Sequence, residues 1–131
     1  MKNYIIGHSE RVKHQGEKLN IINKKLKLIE EKGAKAIVCV GDKKDNIFSE
    51  FLIMYQLKKI FKNIVTDNIV IAYEPVYSIG TGKILSRKKI EQRIKLIKKY
   101  FYLSEIFVIF VLLKHGSMAN YMTIKYIMTP I

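Results

Sequence analysis

Four short runs of apolar, largely β-branched residues, separated by longer stretches with helical spacing, restrict what this chain can fold into. Tyr4-Ile5-Ile6 stops at Gly7, and Ala34 to Val40 stops at Gly41-Asp42. Asn68 to Tyr73 stops at Glu74-Pro75, and Ile106 to Leu113 is apolar throughout. Between them, Lys18 to Lys32 carries Leu19, Ile22, Leu26 and Ile29 at spacings of three and four, one face of a helix. Gly33 follows where a helix-ending glycine belongs. Asn46 to Phe61 is helical by pattern, with Phe48, Phe51, Leu52, Tyr55 and Ile60 as its apolar positions. Ser86 is placed to cap a helix running to Phe101, with Ile90, Ile94, Ile97 and Phe101 as the buried stripe. Thr123 is placed to cap a last short helix, Ile124 to Met128, halted before Pro130. The expected order is β-α-β-α-β-α-β and the start of a further helix, one strand and one helix about every 30–35 residues. Such alternation, with two strands almost wholly apolar, predicts an α/β fold: a parallel sheet of about four strands with helices outside it.

A chain of 131 residues suffices for one domain and not for two ordinary ones. Its formal net charge of +13 invites a nucleic-acid reading. Only three of the 24 basic residues are arginine (Arg11, Arg87, Arg93), however, and the lysines are spread along the helical stretches. No basic motif carries the interleaved aromatics that stack on bases, so nucleic acid is not an expected partner. A basic anion- or nucleic-acid-binding module stays as the reading from another class. Cys39 is the only cysteine and lies in an apolar run, which predicts a small core residue and no disulfide framework. The longest apolar run, Ile106 to Leu113, is far short of the ~20 residues of a membrane span. The first residues lack the apolar core of a leader peptide. A cytoplasmic protein with no membrane partner is expected.

In parallel β/α folds the chemistry gathers at the C-terminal ends of strands. The first strand delivers Gly7-His8-Ser9-Glu10-Arg11 there, and the second Gly41-Asp42. The third delivers Glu74-Pro75 and the Gly80-Thr81-Gly82 loop, and the fourth His115-Gly116-Ser117. Singly these are turn or core residues more often than functional ones. Together they bring an imidazole, a carboxylate and two glycine-containing loops to one end of one sheet, which suits a small anionic substrate. Nothing in the pattern asks for a metal or a cofactor.

Two stretches carry a family resemblance. Gly7-His8-Ser9-Glu10-Arg11 resembles the G-H-S-E-R signature of the triosephosphate isomerase family, and Ala72 to Lys83, A-Y-E-P-V-Y-S-I-G-T-G-K, resembles its A-Y-E-P-V-W-A-I-G-T-G-K signature. Val38 to Asp42 is similar to its C-I-G-E strand end. The resemblance is clear over residues 3–83 and weaker over 84–128, and the whole of 1–131 reads as one incomplete domain. It implies a partial TIM (β/α)8 barrel, from the fourth strand to the start of the seventh helix. It also implies an intramolecular isomerase of glycolysis and gluconeogenesis that interconverts dihydroxyacetone phosphate and D-glyceraldehyde 3-phosphate through an enediolate. By the same resemblance Glu74 is the proton acceptor and His8 the electrophile, on a neighbouring strand end. Pro75, Val76, Tyr77, Ser78, Ile79, Gly80, Thr81, Gly82 and Lys83 form the lid. Gly80 and Ser117 hold the substrate phosphate, and Glu10 and Arg11 support the site or a homodimer interface.

Two departures from the family are large, beside milder ones at Val12, Gln15, Tyr77 and Ser78. The full barrel has eight strands and ~250 residues. Strands one to three, with the family's active-site Asn and Lys, and strand eight have no counterpart in the matching stretch. The seventh loop reads Lys114-His115-Gly116-Ser117-Met118-Ala119 where the family has Y-G-G-S-V-N. Four strands leave two open sheet edges. The expectation is therefore a chain that self-associates or pairs with a complementary N-terminal half. The alternative to an enzyme within the same family is a truncated, non-catalytic half-barrel.

Overall fold

The computed structural model describes residues 2–8, 16–42, 46–65, 68–75, 86–101, 107–113 and 121–128. Its elements are β1 (Asn3–Ile6), α1 (Leu19–Glu31), β2 (Lys35–Val40), α2 (Ser49–Ile60), β3 (Ile69–Tyr73), α3 (Arg87–Tyr100), β4 (Phe107–Leu113) and β5 (Tyr121–Met128). The strands form one sheet in the order β1-β2-β3-β4-β5. The first four are parallel, as the alternating pattern predicts.

Strand order that advances in one direction puts successive crossover helices on the same face of the sheet. Accordingly α1 packs on α2 and α2 on α3, and together they roof the sheet. The core lies between. Ile6, Val38, Ile71 and Val108 stand in one register row across the four parallel strands, and all are buried. Ile22, Leu26 and Ile29 of α1, Ile53, Leu57 and Ile60 of α2, and Ile90, Ile94 and Ile97 of α3 join them in one cluster. The opposite face is less covered: in the next row Ile5 is 41% exposed, and Ile37 and Val70 are only partly buried. In a closed barrel that face would line the interior.

The helix ends follow the sequence signals. Gly33, at φ 65°, ends α1 in a Schellman arrangement. Ala34 N–H donates to Ile29 O and Gly33 N–H to Glu30 O. The Ser86 hydroxyl accepts from Lys89 N–H at the start of α3. Buried Asn23 of α1 donates to Ile60 O and Lys62 O, satisfying carbonyls at the end of α2.

Three expectations are corrected. The apolar stripe of α2 is not Phe48, Phe51, Leu52 and Tyr55, which are exposed; the buried face is Ser49, Ile53, Leu57 and Ile60. This helix is apolar around most of its girth, so spacing alone does not select the inward face. Its expected first residues, Asn46 to Phe48, form a turn in which Asn46 Oδ1 accepts from Phe48 N–H, and the helix begins at Ser49. The last element is not a helix over Ile124–Met128. It is strand β5, antiparallel to β4, with register shifts at Phe110/Val111 and Leu112/Leu113. Tyr121, Thr123, Ile124, Tyr126 and Ile127 are strand-favouring residues, and the open edge of β4 supplies the pairing partner. Only residues 114–120 separate the two strands, too few for a parallel crossover and enough for a hairpin. Among the described residues no helix is long and apolar enough to cross a membrane.

Candidate active site

The site is built at the C-terminal ends of β1, β2 and β3. β1 leads into Gly7, whose φ of 74° turns the chain so that His8 enters the end of the sheet. A Cβ at Gly7 would lie 2.9 Å from Cys39 O, so the turn is pressed against β2 and accepts no side chain. β3 leads into Glu74, whose N–H donates to Val40 O at 2.9 Å and extends the ladder by one bond. Pro75 follows and is buried.

The sequence suggests that His8 and Glu74 follow adjacent strands, but β2 lies between β1 and β3. The two side chains nevertheless meet, with His8 Nε2 3.5 Å from Glu74 Oε2 and both almost wholly buried. The end of β2 makes room. A Cβ at Gly41 would fall 1.7 Å from the Glu74 carbonyl oxygen and 3.5 Å from Glu74 Cγ. Only glycine fits under that strand end. Gly41 is held there by one side-chain amide: Gln56 Oε1 accepts from Gly41 N–H at 3.0 Å, and Gln56 Nε2 donates to Gly41 O at 2.7 Å.

A second layer of polar groups backs this pair. Asp42, with no exposed surface, accepts the Tyr73 hydroxyl on Oδ1 at 2.8 Å. Its Oδ2 lies 3.6 Å from Arg93 Nε, and Arg93 Nη1 donates to Glu50 at 3.5 Å. Cys39, next to Val40, is buried as expected. Burial, with the Glu74 carboxylate adding to it, pushes its thiol well above the ordinary range. Cys39 is thus a neutral core residue and not a nucleophile.

Of the residues singled out in the sequence, His8, Glu74 and Pro75 come together here. Glu10, Arg11, Val76, Tyr77, Ser78, Ile79, Gly80, Thr81, Gly82, Lys83 and Ser117 lie outside the described residues. Sequence reasoning missed Arg93. The signal is present, because Arg93 falls on the stripe of Ile90, Ile94 and Ile97, and an arginine at a core-facing position needs a buried partner. Among the described residues no group of three or more His, Cys, Asp or Glu side chains could hold a metal ion.

A buried carboxylate against an imidazole can move a proton to and from a bound molecule while excluding water. Comparison with known proteins gives the family. The family model for triosephosphate isomerase matches residues 1–120. The triosephosphate isomerase of Dehalococcoides mccartyi is 38% identical over 98 residues, covering 72% of this chain and 39% of the relative. That of a Nostoc species is 37% identical over 105 residues, covering 78% and 44%, and that of a Thermoanaerobacter species 36% over 104 residues, covering 75% and 42%. The chain spans about two fifths of the length of the curated relatives it matches. With the strand–helix order, the pair at the strand ends and these matches in agreement, the chain belongs to the triosephosphate isomerase family.

Proposed function

We propose that this chain carries the acid–base pair of a triosephosphate isomerase, interconverting dihydroxyacetone phosphate and D-glyceraldehyde 3-phosphate by proton transfer through an enediolate. The observation that carries the reading is the buried His8–Glu74 pair at 3.5 Å, in a chain of this family. A carboxylate base beside a neutral imidazole is the family's established chemistry. Glu74 takes the proton from the carbon next to the carbonyl. His8 donates Nε2–H to the carbonyl oxygen and passes protons between the two oxygens of the enediolate. In this reading Pro75 to Lys83 close over the substrate, the Gly80 amide and Ser117 hold the phosphate dianion, and Glu10 and Arg11 support the site. The same reading puts the reaction in glycolysis and the protein in the cytoplasm. A coupled assay of glyceraldehyde 3-phosphate conversion tests it. Wild-type chain turns over, and Glu74→Asp and His8→Gln lose most of that rate; a wild type with no turnover contradicts the reading.

A second reading concerns assembly. In the described sheet β1 is an edge, and the face turned away from the helices leaves Ile5 substantially exposed. Open edges and an uncovered apolar face favour pairing with more strands. In this reading residues 1–131 act as one incomplete barrel domain that self-associates or pairs with a complementary half. Size-exclusion chromatography with light scattering tests it; a stable monomer of 15.3 kDa contradicts it.

A further inference from the structure

Arg93 stands on the inward stripe of α3, 5% exposed, among Ile90, Ile94 and Ile97. A guanidinium in that position gives up its hydration and is retained where anions replace it. Among the described residues, Asp42 at the end of β2, itself fully buried, and Glu50 on α2 do so. Asp42 is the joint of the cluster. One of its oxygens faces Arg93 and the other accepts the Tyr73 hydroxyl. Its chain neighbour Gly41 lies directly under the backbone of Glu74, with no room for a side chain between them. Val40, one residue further back, accepts the Glu74 N–H. Residues 40–42 are therefore the floor on which residues 73–75 rest, and Arg93 anchors one end of that floor. Among the described residues, charged and titratable groups around Asp42 and Glu74 include Arg93 from α3, Glu50 from α2, Cys39 from β2, Tyr73 from β3 and His8 beyond β1.

We infer that Arg93 is a positioning residue for Glu74: by compensating the buried Asp42 carboxylate it keeps the end of β2 seated under the end of β3, and so keeps Glu74 against His8. Without the guanidinium, Asp42 is a buried anion that gains by moving toward water, and that movement drives Gly41 against Glu74. Such a displacement costs rate more than binding, because the base loses its line to the reacting carbon. The kinetic consequence rests on the isomerase reading above; the structural one rests on the cluster alone.

Three variants of the full chain test it: Arg93→Met, Arg93→Lys, and Arg93→Met combined with Asp42→Asn. The double variant removes both charges and keeps an amide oxygen that accepts the Tyr73 hydroxyl. Two readouts are taken: kcat with KM for the triose phosphate, and the His8 ring signals in the 1H–15N spectrum, assigned with His8→Gln. Arg93→Met lowers kcat by about tenfold or more with KM within about twofold, and shifts the His8 signals. Arg93→Lys and the double variant stay near wild type in both readouts. A folded Arg93→Met with wild-type kcat and unmoved His8 signals overturns the inference, as does a double variant impaired as deeply as the single one. If Arg93→Met does not fold, the double variant decides by the same criteria. A wild type without turnover sinks the isomerase reading alone, and the His8 signals then decide the role of Arg93.

Discussion

Gly41 has less room than any other described glycine. A methyl group there would sit inside the van der Waals shell of the Glu74 carbonyl, and overpacking of that kind costs about 1–3 kcal/mol or more. Gly41→Ala is expected to lower the urea midpoint accordingly and to part His8 from Glu74; wild-type stability would contradict the packing described. Cys39 makes a prediction about pH. Its native thiol is pushed up by burial and by Glu74, so the native state keeps a proton that the unfolded chain releases. Its contribution is therefore complete below about pH 8.5, the thiol's ordinary value, and is lost as pH rises toward the native value, by ~1.4 kcal/mol per unit of pH. Urea midpoints at about pH 8 and about pH 10 should differ more in wild type than in Cys39→Ala, and equal differences would refute the assignment. At this scale His8 and Glu74 are legible in the sequence because each sits in a long motif at a strand end. The Arg93–Asp42 pairing is not: the stripe of α3 shows that Arg93 needs a buried partner, but nothing local says that the partner is Asp42 at the end of β2.

At the scale of elements, spacing identifies α1, α2, α3 and the four parallel strands, and fails where the decisive partner is remote. The inward face of α2 is chosen by the sheet and not by the helix itself. Leu57, with no exposed surface, and Phe51, 68% exposed, look equally suited to a core in the sequence. The structure separates them. Leu57→Ala is expected to cost about 2–5 kcal/mol, and Phe51→Ser to change stability by no more than about 0.5 kcal/mol. Chemical denaturation of the two variants checks this, and a reversed order would mean that α2 presents its other face. Residues 124–128 read as a helix because Thr123 and Pro130 supply a start and a stop. The edge of β4 overrides that local preference and makes the segment a strand.

The described residues join four parallel strands that advance in one direction, an antiparallel β5 beside the last of them, a helix layer on one face and a buried imidazole–carboxylate pair at the strand ends. In the assembly reading proposed above, the β1 edge and the thinly covered face of the described sheet are what associates. The assembled state is therefore expected to be the active one, with specific activity rising as protein concentration passes through the association range. Specific activity that does not change with concentration, from a monomer, would contradict that expectation. The proposed function depends on Glu74, held against His8, removing a proton from a carbon next to a carbonyl. Proton NMR of dihydroxyacetone phosphate in heavy water measures that step without requiring release of the other isomer. Wild-type protein is expected to introduce deuterium at the hydroxymethyl carbon beside the carbonyl. Glu74→Gln should slow that exchange by about 10²–10⁴. Exchange that runs equally fast in Glu74→Gln, or that is absent in wild type, would contradict the role given to Glu74.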